Sequence, residues 1–203
     1  MTQIHFAADA VAGGFPDPVL DAQSAFRRIM NAFAEPGTTA WLDMPVQAPA
    51  ALSPAAAILL LTLADADAPI FLEGAAALTE ASAWLAFHTG ARVDAARGEA
   101  SFALLTENSD PAGWDALPIG TDAYPDRAAT LILPVQALEG GAPLTLTGPG
   151  IETVRTIAPL GLPAGFLEAR ARNAALFPRG HDLVLVAGDA LIALPRTTKL
   201  REA

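Results

Sequence analysis

Two short clusters hold the side chains best suited to binding an anion or a partner. The first is Asp122-Ala123-Tyr124-Pro125-Asp126-Arg127. Proline forces the residue before it toward extended backbone, so Pro125 sets the direction of Tyr124, the single tyrosine. Arg127 has the planar fork that clamps a carboxylate or phosphate through two parallel hydrogen bonds. It is equally placed to pair locally with Asp122 or Asp126, an arrangement common in loops and individually weak. The second cluster is Leu194-Pro195-Arg196-Thr197-Thr198-Lys199. Pro195 ends strand pairing, and Arg196, two hydroxyls and Lys199 follow as donors. They read either as an anion or partner contact, or as a solvated, partly disordered tail.

Other candidates carry less chemistry. Gly148-Pro149-Gly150 could cradle a phosphate with successive N–H groups, but Pro149 has none, and a plain turn fits better. His181-Asp182 would make a base and its orienting carboxylate only if both faced one way. In a strand, neighbours face apart, so a strand-entry turn after Gly180 is the reading taken. Arg170, Arg172 and Arg179 flank an expected helix and read as its solvated surface. His5 and His88 are far apart, and there is no cysteine, so a metal site has no ligand spacing behind it. None of the five serines sits in a nucleophile elbow. No catalytic residue, metal or cofactor is expected from these residues.

The elements that position these groups can be read from periodicity. Val19, Ala22, Phe26, Ile29 and Phe33 recur at helical steps and predict a helix from about Pro18 to Ala34, ended by Pro36-Gly37. A strand is expected over Thr38–Met44. Ser53-Pro54 reads as an N-cap and first turn of a wholly apolar, buried helix reaching about Ala64. A short strand at Pro69–Glu73 follows, then a helix capped by Thr79 and stopped by Gly90. Strands are expected at Ser101–Thr106, Ala128–Val135 and Pro143–Thr147. Asn108–Tyr124 is turn-rich and holds Trp114. Pro163–Phe177 reads as helix, and Asp182–Ala187 with Ala190–Leu194 as a hairpin around Gly188-Asp189. This order predicts a layered, mixed-sheet α/β domain spanning 1–203.

Composition narrows the partners. The chain has 203 residues, 52% hydrophobic, and a net charge of −10. An acidic surface repels nucleic acid and anionic membranes. The absence of cysteine excludes disulfides, thiolate zinc sites and cysteine-ligated clusters. Met1–Asp9 lack the basic start and apolar run of a signal peptide, and the apolar run Pro54–Ala64 is too short to span a bilayer, so a soluble cytoplasmic protein is expected.

Several segments together carry a resemblance. They are Gly14-Phe15-Pro16-Asp17-Pro18-Val19 with Asp21, Gln23, Phe26-Arg27 and Met30, then Glu35-Pro36-Gly37, then Gly120-Thr121-Asp122 with Tyr124-Pro125-Asp126-Arg127-Ala128-Ala129-Thr130. Leu146-Thr147-Gly148-Pro149-Gly150-Ile151-Glu152, Phe177-Pro178-Arg179-Gly180 with Asp182, and Leu194-Pro195-Arg196-Thr197-Thr198 complete the set. In order and spacing they resemble the PhnH family of the carbon–phosphorus lyase system, over nearly the whole chain. Arg179 and His181 depart from the more neutral residues expected around that Gly-x-Asp.

The resemblance implies a fold like the PLP-dependent transferases without the cofactor, and an accessory subunit working with the G, I and J subunits of the lyase. That system transfers ribose triphosphate from ATP to a phosphonate, and its radical step belongs to the cysteine-bearing J subunit. A homodimer is expected in isolation. Tyr124, Arg127, Arg196 and Thr197 are the candidate partner or anion contacts. The competing expectation is a stand-alone phosphate- or nucleotide-binding enzyme built on Arg127, Arg196 and the Gly148-Pro149-Gly150 turn. A scaffold serving some other partner is a third.

Overall fold

A computed structural model describes residues 11–74 and 78–203. The expectation for Met1–Asp9 falls outside them. Helix α1 (Pro18–Ala34) begins with a reciprocal cap: Leu20 N–H donates to Asp17 Oδ1 at 3.1 Å, and Asp17 N–H donates to Asp21 Oδ2 at 3.0 Å. Helix α2 (Pro54–Leu63) has Ser53 as cap, its Oγ accepting from Ala56 N–H at 3.3 Å. Helix α3 (Thr79–Thr89) starts one residue earlier than expected: Leu78 is its cap residue and Thr79 its first helical residue. Helix α4 (Phe166–Ala174) is shorter than Pro163–Phe177, because Gly165 at φ +80° breaks the helical path before Phe166.

The central sheet has six strands in the order β1 (Thr39–Trp41), β8 (Ala190–Leu194), β7 (Asp182–Ala187), β4 (Thr130–Pro134), β3 (Phe102–Leu104), β2 (Ile70–Leu72). β2, β3, β4 and β7 are parallel, and β8 runs against both β7 and β1. A second, antiparallel sheet of β6 (Arg155–Ile157), β5 (Leu144–Thr147) and β9 (Lys199–Glu202) lies beside it in the chain. The mixed α/β expectation therefore stands, and the hairpin around Gly188-Asp189 is where the sequence put it.

The central strands are apolar throughout because both faces are covered. Side chains alternate across a strand. Ile132, Val184, Val186, Leu191 and Ala193 face a core built with α1, α2 and α3. Leu131, Leu133, Leu183, Leu185, Ile192 and Leu194 face a second core with Trp114, Phe166 and the small sheet's Leu144, Leu146 and Ile157. The continuous apolarity of α2 is explained here: Ala55 through Leu60 are all buried.

Two expectations are corrected. The inner face of α1 is Ala25, Ile29 and Ala32, while Val19 and Phe26 are exposed. Small side chains at 25 and 32 let the helix lie on α2 and β8, and that rotation turns the larger residues outward. The C-terminal segment is no loose tail: Lys199–Glu202 is a strand, paired with β5 from Thr147↔Lys199 to Leu144↔Glu202. Its alternation was hidden because only one flank of β9 is paired and its residues are mostly exposed.

Leu60 has no exposed surface at the centre of the first core. Leu60→Ala is expected to lower unfolding free energy by about 3 kcal/mol, read from urea denaturation, with the same helical signal in the folded state.

Candidate functional site

Strand β8 ends at Pro195, which cannot donate to a ladder. The carbonyls left there need partners away from water. Arg170, one turn into α4 and 4% exposed, supplies them. Its guanidinium donates to Leu194 O at 3.2 Å, to Pro195 O at 2.8 Å and to His181 O at 3.3 Å. Asn173, one turn further, donates its amide to His181 O at 3.0 Å and accepts from His181 N–H at 2.7 Å. The expectation of a solvated arginine here is overturned. The signal was present: Phe166, Ala169, Arg170 and Asn173 recur at three- and four-residue steps, which is the pattern of an inward face. Burial holds Arg170 down at about 10, partly offset by the Asp182 carboxylate.

His181 is buried with its Nε2 3.2 Å from Leu117 O. Burial pushes its pKa down; the hydrogen bond to Leu117 O opposes that, and the charges of Arg170 and Arg196 add to the depression. The next residue, Asp182, turns to Arg196 instead. The two side chains thus serve different partners, as their adjacency at a strand entry requires.

Asp182 and Arg196 form the strongest ion pair of the region. Arg196 donates from its backbone N–H (2.7 Å) and Nε (3.2 Å) to Asp182 Oδ1, and from a terminal nitrogen (2.6 Å) to Oδ2. The pair is largely shielded, with side chains 15% and 22% exposed. The other terminal nitrogen donates to Pro125 O. This bond ties the C-terminal segment to the short 3-10 turn Pro125–Arg127. Arg196 is therefore spent mostly inside the protein.

On that turn Tyr124 and Arg127 face outward. Tyr124 exchanges backbone hydrogen bonds with Thr121, at 3.1 and 3.2 Å, and also donates to Thr121 Oγ1. The Arg127 guanidinium lies 4.2 Å above the Tyr124 ring, a cation–π contact. The local pairing expected with Asp122 or Asp126 does not form: Asp122 lies 3.2 Å from Arg179 Nε, and Arg127 has no carboxylate partner among the described residues. Arg179, one of the departures from the resemblance, thus lies within ion-pair distance of the exposed Asp122.

Thr197 sits where the Gly148 turn meets this segment. A Cβ on Gly148, at φ +141°, would lie 2.9 Å from Thr197 O. The turn closes with Ile151 N–H on Gly148 O, and a Cβ on Gly150 would strike Ala34 O at 2.2 Å. These glycines permit close backbone packing, which is the plain-turn reading. Thr198 is buried and its N–H donates to Pro195 O. The structure thus gathers Tyr124, Arg127, Arg196 and Thr197 around one joint, with the first two presented to solvent.

Two cavities among the described residues do not suit an anion. One of about 560 Å³ is lined by Pro143, Leu144, Leu160 and Phe166 with Glu168 and Glu202, and holds no cation. Another of about 440 Å³ has Glu107 and Asp110 and again no cation. Among the described residues no group of three metal-ligating side chains occurs, and no helix is long and apolar enough to cross a membrane.

Comparison with known proteins places these features in context. The model of the family described as "Bacterial phosphonate metabolism protein (PhnH)" matches residues 13–201. The chain is 48% identical to "Alpha-D-ribose 1-methylphosphonate 5-triphosphate synthase subunit PhnH" of Rhizobium meliloti (strain 1021), over 93% of this chain and 94% of that one. It is 32% identical to "Putative C-P lyase subunit protein HtxG" of Stutzerimonas stutzeri, over 88% of this chain and 85% of that one.

Two measurements probe the joint. Arg196→Ala strands a shielded carboxylate and cuts the tie to Pro125. It is expected to cost about 2 kcal/mol in urea denaturation and to speed amide exchange over residues 120–128. For His181, the unfolded chain binds a proton near pH 6.5 while the folded chain resists it, so stability is present above that pH and is lost as pH falls toward the depressed folded value. The melting temperature should fall from pH 7 to pH 5 by more in the wild type than in His181→Gln.

Proposed function

The chain belongs to the PhnH family, and on that premise we propose that it is an accessory subunit of the phosphonate-degrading carbon–phosphorus lyase system. Its work is to dock and position catalytic chains, and none of the chemistry is its own. One observation carries this reading. Arg196, which looked like part of a binding cluster, is consumed in holding the fold, and what reaches solvent is a Tyr124–Arg127 platform of the composition favoured at protein interfaces. The named relatives, one a synthase subunit and one a putative lyase subunit, support it.

The partners proposed are the G, I and J subunits, and the isolated chain is proposed to be a homodimer in the cytoplasm. Residues 1–203 are read as one PhnH-like domain, since both cores share one central sheet. The fold is read as a relative of the PLP-dependent transferases that has lost the cofactor. Lys199, the single lysine, is exposed on β9, and a Schiff base needs a shielded amine, so the residues present do not fit PLP. Within the four proposed contact residues, Tyr124 and Arg127 meet the partner. Arg196 holds the platform in place from behind through Pro125 O, and Thr197 packs its carbonyl against the Gly148 turn.

A strain lacking its own PhnH subunit, supplied with this chain, should regain growth on a phosphonate as sole phosphorus source. Failure of a well-expressed wild-type chain to restore growth with its cognate partner subunits would remove the proposal. Arg127→Ala should leave the melting temperature unchanged and weaken capture of the other subunits by about tenfold.

A further inference from the structure

Helix α1 has a second face that the fold leaves uncovered. Val19, Gln23, Phe26 and Met30 recur at steps of four, three and four residues, so they form one stripe at ~100° per residue. All four are exposed, with Val19 at 76%, Phe26 at 50% and Met30 at 37%. Leu20 and Arg27, seven apart, flank the stripe, and both are exposed. The helix is thus apolar on more of its circumference than its own core uses, since the inward face is Ala25, Ile29 and Ala32. Exposed apolar patches of this kind mark interaction sites.

The charges on this face name its partner more closely. The chain carries a net charge of −10, yet the stripe and its flank hold no carboxylate. Asp21, the one acidic residue inside α1, lies on the opposite side and is engaged with Asp17 N–H. Arg28 is paired with Asp43. The Arg27 side chain has neither an ion pair nor a hydrogen bond among the described residues. A burying partner must therefore offer apolar surface together with a carboxylate for Arg27. A second copy docked through the same face brings no carboxylate to Arg27, because the stripe and its flank hold none.

We propose that this outer face of α1 is a docking surface for a different polypeptide, one presenting an apolar groove edged by a carboxylate. Phe26 is the anchor and Arg27 sets orientation. The proposal rests on the accessory-subunit reading and deepens it, adding a second contact surface on an element other than the Tyr124–Arg127 turn. A helix of 17 residues, about 25 Å long at 1.5 Å per residue, is long enough to span much of one side of an ordinary interface.

The test captures the tagged full-length chain from cells that co-express the other subunits of its complex. Phe26→Asp and Arg27→Glu are compared with wild type and with Leu160→Asp, an exposed apolar residue on the loop after β6. The expected result is a loss of at least about tenfold in recovered subunits for both α1 variants, full recovery for Leu160→Asp, and unchanged melting temperature and mass for each isolated chain. Equal recovery with Phe26→Asp overturns the proposal. So does a loss shared by Leu160→Asp. A fall in the isolated chain's melting temperature with the complex intact would place the face within this chain's own fold and also overturn it. A change in the isolated chain's own mass with subunit capture intact would make it a self-contact, with the same consequence. If wild type itself recovers no subunit, the accessory-subunit reading fails first and this inference fails with it.

Discussion

A cation buried at the end of the central sheet holds the C-terminal third of this protein together. Arg170 lies under the point where β8 runs out of ladder partners, and it answers carbonyls from both strands of the terminal hairpin region. Taking a guanidinium out of water is costly. The cost is partly offset by Asp182 nearby and by aiming both terminal nitrogens at backbone oxygens that would otherwise be unsatisfied, while the buried Nε–H has no partner. Asn173 and His181 complete the same knot from the helix and the loop. Three carbonyls are met by two nitrogens of one planar group, a spread of donors that a lysine's single ammonium would not reproduce.

That constraint explains how the acidic chain uses its twelve basic residues. Arg170 and Arg155 donate to backbone carbonyls, Arg155 reaching Glu35 O and Pro36 O beside the small sheet. Arg28, Arg92, Arg97, Arg172, Arg179 and Arg196 sit within ion-pair distance of carboxylates. Eight of the twelve are thus tied to backbone or carboxylate oxygens. Arg127 on its tyrosine, Arg27 beside the α1 stripe, and Lys199 and Arg201 on β9 stand apart from that pattern and face outward.

Much of the fold was legible in the sequence. Helix α2 declared itself through Ser53-Pro54 and ten residues dominated by alanine and leucine, and the β7–β8 hairpin through Gly188-Asp189 between two apolar runs. The rotation of α1 was not legible, because its apolar residues cover more than one face and periodicity alone cannot say which face is inward. The strands β6 and β9 were missed because they are short, half-paired and mostly polar. At the site, Tyr124 was singled out by the stiffness of the proline after it, and Arg127 by its paired donors. Arg196 was picked out for its charge, but its partner, Asp182, is fourteen residues away and only the fold brings them together. Arg170 was misjudged because an arginine on a helix is usually solvated; its spacing from Phe166 and Asn173 was the overlooked clue.

The central claim is that this chain works by joining other chains, and the most direct test is the native mass of what it carries. The tagged protein would be co-expressed with the candidate G, I and J subunits, purified, and weighed by native mass spectrometry. The account expects a single assembly containing this chain with those subunits in fixed ratio. Elution of the chain by itself, at the mass of its own monomer or dimer while the other subunits assemble without it, would contradict it.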